Sequence, residues 1–342
     1  MSSSLSVNAI FGSGRSGSTW LGSIINSHPG LIYRFEPFHR LSAKEPVVQY
    51  YKKLLKEDSI SENQLSDSDI PKIYKSLVSA DPLTDKPPFF PKSDIDVLGP
   101  EKEGIRKKSW AVARSLPVFD CFYKKLYTPK NSPPLVFKEV TFEKQMRNIL
   151  KYTSIPVVYL VRHPCGNILS DVKGQESGKM PTGRQSVLES ILKKHDVELF
   201  DKYGHQLEQL SILEKTTLLW RIDLETGLKA LNDFGRGLLI TYEQLCDDAH
   251  THVQPIFKTF NLPYSSQTEQ FLDTLYASDK ASMQKNRRSQ DWMNQFFTVY
   301  RNPKKQKYSW KNKIEAEDRQ KIEAIVQDSW AFQHCAKVGQ WD

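Results

Sequence analysis

The chain has 342 residues, of which 39% are hydrophobic and 26% are charged. This length and composition are typical of a globular protein with a sizeable core, and they exclude a mostly disordered chain or a fibre. Lysine and arginine exceed the acidic residues and give a net charge of +8, which favours an anionic ligand without identifying one.

The sequence predicts a cytoplasmic protein that does not enter a membrane. No apolar run approaches the roughly 18 residues of a membrane-spanning helix. Residues 1–7 are polar and lead straight into a strand, unlike a signal peptide. The four cysteines lie far apart and form no CxxC pair, which predicts reduced thiols and no thiolate zinc site.

The first predicted elements form a βαβ unit. A short buried strand, residues 6–11, is followed by a glycine-rich loop, Gly12–Gly17. Apolar residues then recur at helical spacing within Trp20–Ile25. A second strand, residues 31–35, ends at Glu36. Two strands joined by a helix in this way should be parallel, with a right-handed crossover.

Three further apolar runs predict strands of the same sheet, at residues 135–137, 157–161 and 238–241. The predicted helices that separate and follow them are residues 142–151, 186–234, 247–260, 266–276 and 314–332. This alternation predicts an α/β fold of three α/β/α layers around a central parallel sheet. Residues 59–115 and 280–311 interrupt the pattern. We predict a single domain, residues 1–342, in which these two insertions cover the acceptor and cofactor.

The glycine-rich segment Gly12–Thr19 matches the Gly-x-x-x-x-Gly-x-Ser/Thr frame of a phosphate-binding loop. Its backbone amides and the start of the following helix should bind an anion, with Arg15 supplying positive charge. Nucleotide triphosphatases need a lysine where Ser18 stands, and an acidic partner for Mg²⁺. The buried strand 157–161 leads instead to Arg162. The pattern therefore predicts a site for a phosphate-like group without a metal-bound γ-phosphate.

At these residues the chain resembles the sulfotransferases that use 3′-phosphoadenosine 5′-phosphosulfate (PAPS). The family's 5′-phosphosulfate loop is similar to Gly-x-x-Arg-Ser-Gly-Thr-Thr-Trp, and residues 12–20 read Gly-Ser-Gly-Arg-Ser-Gly-Ser-Thr-Trp. The family's second motif is an arginine that closes a strand, with a serine eight positions later, like Arg162 and Ser170. Tyr242-Glu-Gln-Leu resembles the family's Tyr-Glu-Asp-Leu, and Tyr308-Ser-Trp-Lys resembles an element that closes over the cofactor.

The resemblance implies transfer of a sulfuryl group from PAPS to a hydroxyl or amine, leaving adenosine 3′,5′-bisphosphate (PAP), with no metal. Arg162 and Ser170 would hold the 3′-phosphate by charge-assisted and hydroxyl hydrogen bonds. Trp20 would stack on adenine, although its place on an apolar helix face also suits the core. The cofactor-binding residues implied are Arg15, Ser16, Gly17, Ser18, Thr19, Trp20, Arg162, Ser170, Tyr242 and Lys311.

Ligands of open parallel sheets bind beyond the carboxyl ends of the strands. The predicted strands end at Gly12, Glu36, Lys138, Arg162 and Tyr242. Polar groups therefore collect at one edge of the sheet, which predicts that the site lies there.

Glu36 is the predicted catalytic base, because its strand is expected to lie next to the strand that leads into the loop. The membrane-anchored branches of the family, which the loop arginine resembles, carry a glutamate at this distance from that arginine. A base needs hydrogen-bond reach to the acceptor, and a raised pKa would help it. His39 and His163 are the alternative bases.

Lys138 and Arg15 are predicted to stabilise charge on the leaving phosphate. Lys138 also suits an ordinary strand-end lysine. In the cytosolic branch of the family a histidine base lies two residues after the corresponding lysine. Here that position is Val140, so this base is absent.

Two other function classes fit parts of the sequence. One is a P-loop nucleotide kinase-like phosphotransferase, disfavoured by the missing lysine and the missing acidic partner. The other is a non-catalytic binder of polyanions such as RNA or sulfated glycans, suggested by the basic stretch 280–311. The chain lacks any RNA-binding signature, and no nucleic-acid partner beyond the nucleotide is predicted.

Residues 59–115 and 173–190 should shape the acceptor pocket. A small molecule, a sugar and a peptide tyrosine all fit as acceptor, and the oligomeric state is open.

Overall fold

The computed structural model of the chain describes residues 5–56, 64–95, 103–140, 143–178, 180, 182–277 and 302–341. Within them, five strands form one parallel sheet in the order β2-β3-β1-β4-β5. The strands are β1 Val7–Gly12, β2 Ile32–Phe35, β3 Leu135–Val140, β4 Val157–Val161 and β5 Leu238–Thr241. Each begins within one residue of its predicted start, and β3 runs three residues further than predicted.

Helices surround the sheet and fill the connections between its strands. Those of the first half are α1 Ser18–Asn26, α2 Pro37–Arg40, α3 Val47–Leu55, α4 Ile70–Leu77, α5 Glu103–Ser115, α6 Asp120–Tyr127, α7 Glu143–Tyr152 and α8 Pro164–Glu176. Those of the second half are α9 Leu188–His195, α10 Val197–Tyr203, α11 Ile212–Phe234, α12 Tyr242–Asp247, α13 Ala249–His252, α14 Gln254–Thr259, α15 Ser266–Ala277, α16 Pro303–Gln306, α17 Ala316–Val326 and α18 Trp330–Gly339. Among these described helices, none is long and apolar enough to cross a membrane.

Both faces of the sheet are covered, because alternate residues of each strand face opposite sides. In β1, Ala9 and Phe11 join one hydrophobic core with Leu218 of α11. Ile10 joins a second core with Leu21 of α1. The predicted three-layer α/β/α class with a central parallel sheet is confirmed.

The strand order corrects one prediction. β2 was expected beside β1, but β3 lies between them, with Lys138 in register with Ile10 of β1 and with Phe35 of β2. The βαβ spacing makes the two strands parallel but does not prevent the crossover from skipping a place. Glu36 therefore reaches the edge of the sheet next to β3, two strand positions from the glycine-rich loop.

Several predicted helices were too long, because polar residues inside the helical patterns cap new helices. The predicted helix 186–234 divides into α9, α10 and α11, where Asp196 and Ser211 accept bonds from backbone N–H groups of the next helix. Asp248 interrupts 247–260 in the same way, and Ser329 separates α17 from α18. Each cap is a serine or aspartate of the type that favours a helix start.

The first insertion is anchored to the sheet by buried polar contacts. Arg34 of β2 forms an ion pair of 2.7 Å with Asp85, and both side chains are almost fully buried. Asp85 also accepts a hydrogen bond from the Tyr123 hydroxyl at 2.8 Å and lies 3.4 Å from the Arg106 guanidinium. The segment that the sequence shows only as an interruption thus contains helices α4 and α5. Of the second insertion, residues 280–301 lie outside the described residues.

Candidate active site

The glycine-rich loop joins β1 to α1 in a conformation that two residues with positive φ make possible. Arg15 has a φ of 67°, and Gly17, which precedes α1, has a φ of 94°. A Cβ atom at Gly17 would lie 2.4 Å from the ring of Tyr242, so this position needs glycine for both its backbone and its packing. The first N–H groups of α1 have no intrahelical partner and form an anion-binding end.

The loop contacts the turn after β4 and the helix α8 that follows it. The Arg15 Nε donates a hydrogen bond of 2.9 Å to the Ser170 hydroxyl. An Arg162 Nη atom donates one of 3.2 Å to the backbone oxygen of Arg15. Asn167, also on α8, donates one of 2.9 Å to the Ser13 hydroxyl. Residues between 147 and 155 positions apart in the chain therefore form one basic cradle.

Buried donors of this cradle suit a bound phosphate. Within the described part of the chain, the Ser16 hydroxyl and the Arg162 Nε are buried without a hydrogen-bond partner. An unpartnered buried donor is costly, and a phosphate oxygen would satisfy both groups. The residues present therefore fit the phosphate groups of PAPS.

Aromatic side chains close one side of the cradle. Tyr242 begins α12, where Thr241 and Gln244 form a capping box. The Arg162 guanidinium lies 4.6 Å above the Tyr242 ring, and Trp20 packs edge-on to that ring at 5.7 Å. Trp20 also belongs to the core beneath α1. Burial raises the pKa of the Tyr242 phenol, so it stays protonated at neutral pH.

The Tyr-Ser-Trp-Lys element, residues 308–311, packs beside Arg162. Trp310 stacks on the His163 ring at 4.4 Å, and a Cβ atom at Gly166 would lie 2.9 Å from both Trp310 and the Arg162 Nε. Lys311 follows directly, with its ammonium 4.3 Å above the Tyr308 ring. The predicted cofactor residue Lys311 thus lies in a turn that contacts the Arg162 region.

His163, one of the two alternative bases, has a structural role at the start of α8. Its Nδ1 accepts a hydrogen bond of 3.2 Å from the backbone N–H of Cys165 and so caps α8. Its own backbone N–H donates to Glu243, which also accepts a hydrogen bond of 2.8 Å from the Trp341 indole. Sequence reasoning included Glu243 only as part of the Tyr-Glu-Gln-Leu motif. It missed Trp341, because only the folded chain brings the C-terminal residues to this turn.

Glu36 and Lys138 form a second group at the same edge of the sheet. The Glu36 Oε1 lies 2.7 Å from the Lys138 ammonium, which is almost fully buried, and the Glu36 Oε2 lies 3.3 Å from Arg40. Burial raises the pKa of Glu36, but the surrounding cations, led by Lys138, outweigh it, so the pKa lies below its ordinary value. The raised pKa that would help Glu36 act as a base is therefore not found. The carboxylate is ionised and can accept a proton at neutral pH. His39, the other alternative base, is exposed on α2.

Sequence reasoning missed two cations of this group. Lys86 comes from the first insertion, and its ammonium lies 3.8 Å above the Phe35 ring. The Arg40 guanidinium lies 4.6 Å from the same ring, as does the Lys138 ammonium. Burial, followed by the charge of Lys138, lowers the pKa of Lys86 to about 7. In the sequence, only the spacing of four residues between Glu36 and Arg40 indicated that Arg40 could pair with Glu36.

The two groups lie on neighbouring strands. Lys138 is in register with Ile10, two residues before the loop begins at Gly12. Adjacent strands are about 4.8 Å apart, so the ion pair of Glu36 lies to one side of the phosphate cradle. In the described residues, no three or more histidine, cysteine, aspartate or glutamate side chains are grouped to hold a metal ion.

Comparison with known proteins identifies the family. The sequence profile of the sulfotransferase domain matches residues 9–341. The chain therefore belongs to the sulfotransferase family, and the predicted PAPS-dependent sulfotransferase is confirmed at that level. The phosphotransferase and polyanion-binding alternatives are set aside. Among curated proteins, none matches the chain.

Solved structures of sulfotransferases resemble the chain at low identity. The sulfotransferase domain of the Synechococcus PCC 7002 olefin synthase is 16% identical, with a TM-score of 0.44 and coverage of 94% of this chain and 95% of that one. The sulfotransferase domain of the curacin biosynthetic pathway is 15% identical, with a TM-score of 0.47 and coverage of 94% and 98%. A mouse sulfotransferase in complex with PAP is 10% identical, with a TM-score of 0.46 and coverage of 98% and 90%.

Proposed function

We propose that the cradle of Arg15, Arg162 and Ser170 binds PAPS and that Glu36 accepts the proton of the acceptor. The contact of Arg15 with Ser170 at 2.9 Å carries this proposal, because it joins the loop motif to the arginine–serine motif. PAPS, when bound, supplies the sulfuryl group and leaves as PAP.

At the 5′ end, Arg15, the Ser16 hydroxyl and the backbone N–H groups of Gly17, Ser18 and Thr19 face the phosphosulfate. Their positive charge and hydrogen bonds stabilise the charge that develops on the leaving phosphate oxygen. Lys138, on the strand beside β1, assists them.

At the 3′ end, Arg162 and Ser170 hold the 3′-phosphate. The Arg162 Nε has no partner within the described chain, which leaves this donor for a phosphate oxygen. Trp20 and Tyr242 line the adenine side, and Lys311 closes over the nucleotide from the turn after α16.

Glu36 acts as the general base. Its lowered pKa keeps it ionised, and Lys138 and Arg40 fix its two oxygens in place. The acceptor oxygen or nitrogen bonds to sulfur as its proton passes to Glu36, and the bond from sulfur to the phosphate oxygen breaks.

We further propose that the chain is a single domain, residues 1–342, whose insertions cover the site. Lys86 of the first insertion lies at the Glu36 group. Met180, in the stretch 173–190, lies 3.8 Å from the position that a Cβ atom on Gly14 of the loop would occupy.

A small molecule, a sugar or a peptide can serve as acceptor. The four cysteines are all free thiols, which supports the proposed cytoplasmic location.

A turnover experiment tests the base. The protein is incubated with ³⁵S-labelled PAPS and a panel of phenols, alcohols and amines, and labelled products are separated. Replacing a general base typically lowers the rate about 10²- to 10⁴-fold, so Glu36→Gln should lower kcat by this much while PAP still binds. His39→Gln, which removes the exposed alternative, should keep most of the activity. Wild-type protein that binds no PAP and transfers no label would overturn the proposed function. Loss of activity in His39→Gln alone would overturn the choice of base.

A further inference from the structure

The ring of Phe35 is surrounded by three cations. The ammonium groups of Lys86 and Lys138 lie 3.8 and 4.6 Å from its centre, and the Arg40 guanidinium lies 4.6 Å from it. The Glu36 carboxylate contacts two of the three, Lys138 and Arg40. We call Lys86, Arg40 and Lys138 the Phe35 cation cluster.

Among the described residues around Lys86, positive charge exceeds negative charge. The leading electrostatic influences on Lys86 are three cations, Lys138, Arg40 and Arg114, and a single carboxylate, Glu36. The neighbouring Glu139 faces the other side of the sheet, where it accepts a hydrogen bond of 2.7 Å from the Phe38 backbone. Like charges gathered at a partly buried site repel one another, and a bound anion relieves that cost.

The cluster lies beside the nucleotide cradle, on the acceptor side of the site. Its residues belong to β2, β3, α2 and the first insertion, whereas the cradle belongs to β1, β4, β5 and α8. β2, which leads into α2, lies two strand positions from β1, which is about 10 Å, whereas Lys138 is on β3, directly beside β1. Arg15 and Arg162 serve the phosphates of the nucleotide with Lys138 beside them, whereas Lys86 and Arg40 lie farther from the cradle.

The cluster is open to a ligand on one side. The Arg40 side chain is 28% exposed, and Lys86 is half-buried, whereas Lys138 is almost fully enclosed. Arg40 and Lys86 are thus placed to meet an incoming molecule, while Lys138 stays with the base.

We propose that the acceptor carries an anionic group, a carboxylate or a phosphate, that lies against Lys86 and Arg40 while its hydroxyl or amine faces Glu36. This inference rests on the proposed function, since it assigns the substrate class of the same site. The anion adds negative charge beside the cations of the cluster, and the Glu36 carboxylate lies beside it to take the proton.

The test compares pairs of acceptors in which only one member carries an anionic group. With PAPS saturating, kcat/KM is measured for pairs of a carboxylate and its carboxamide, 4-hydroxyphenylacetate with 4-hydroxyphenylacetamide and 3-hydroxybutyrate with 3-hydroxybutyramide. Glycerol 1-phosphate with glycerol forms the phosphate arm. A charge-assisted hydrogen bond predicts a preference of about tenfold or more for the anionic member of at least one pair.

The variants assign this preference to the cluster. Lys86→Met and Arg40→Gln should each remove most of it, whereas Lys107→Met, at an exposed lysine of α5, should leave it intact. PAP titration of every variant checks the fold. If no anionic member is preferred in any arm, or if both cluster variants keep the preference, the inference is wrong. Failure of the wild-type protein to bind PAP would instead overturn the proposed function.

Discussion

Single residues at the edge of the sheet differ in charge according to their surroundings. Glu36 and Glu139 lie on either side of Lys138 at the same edge, yet their environments separate them. Glu36 is held ionised by cations. Burial raises the pKa of Glu139 to about 8, although the Phe38 N–H partly opposes this. The two carboxyl groups therefore hold different protonation states at neutral pH.

The raised pKa of Glu139 predicts a pH dependence of stability. The folded protein favours the protonated carboxyl, so stability is lost as the pH rises from about 4.5, the ordinary value, to about 8. Glu139→Gln keeps the acceptor for Phe38 without the charge. Its melting temperature should therefore exceed that of the wild type at pH 8, and the difference should shrink towards pH 5.

Thermal unfolding between pH 5 and pH 8.5 checks this prediction. Glu208→Gln, at an exposed glutamate, serves as the control and should show no such trend. A constant difference between Glu139→Gln and the wild type at every pH would contradict the assignment.

At the scale of elements, the glycine-rich loop depends on the contact of Gly17 with Tyr242. The loop, β5 and α12 meet here, and the left-handed φ of Gly17 lets the tyrosine ring lie against the backbone. The anion-binding end of α1 is thereby held in one position relative to Arg162, whose guanidinium packs over the same ring.

A Gly17→Ala substitution tests this arrangement. The new methyl group would lie 2.4 Å from the Tyr242 ring, and the backbone would occupy a φ unfavourable to alanine. We expect PAP affinity to fall by about tenfold or more, since a shift of the loop costs charge-assisted hydrogen bonds. Gly14→Ala is the matched control in the same loop, because its Cβ would have 3.8 Å to the nearest atom. Equal affinities in the two variants would show that the Gly17 contact does not position the loop.

The elements that the sequence predicted are those with a local signal. The strands are continuous apolar runs, and the loop and the arginine–serine spacing are short motifs, so all were located to within a few residues. The order of the strands was not predictable in this way, because it depends on where a crossover returns. Asp196 and Ser329 are cap residues of a type that indicates a helix start. The prediction nevertheless followed the apolar pattern, which runs on through both positions.

At the scale of the whole molecule, the site combines segments whose meeting no local pattern reveals. Lys86 reaches the Phe35 ring from an insertion that the buried pair of Arg34 and Asp85 anchors to the sheet. Trp341, near the end of the chain, contacts Glu243 behind the Arg162 turn. The residues of the proposed nucleotide side could therefore be predicted from motifs, whereas those of the proposed acceptor side could be recognised only in the folded chain.

The central claim is that Arg162 recognises the 3′-phosphate of PAPS, and one calorimetric cycle tests it most directly. PAP and adenosine 5′-phosphate, which differ only in that phosphate, are titrated into the wild type, Arg162→Ala and the surface control Arg319→Ala. The wild type and the control should prefer PAP by about tenfold or more, as charge-assisted hydrogen bonds predict, and Arg162→Ala should lose most of this preference. An undiminished preference in Arg162→Ala, or a wild type that binds both nucleotides equally, would contradict the account.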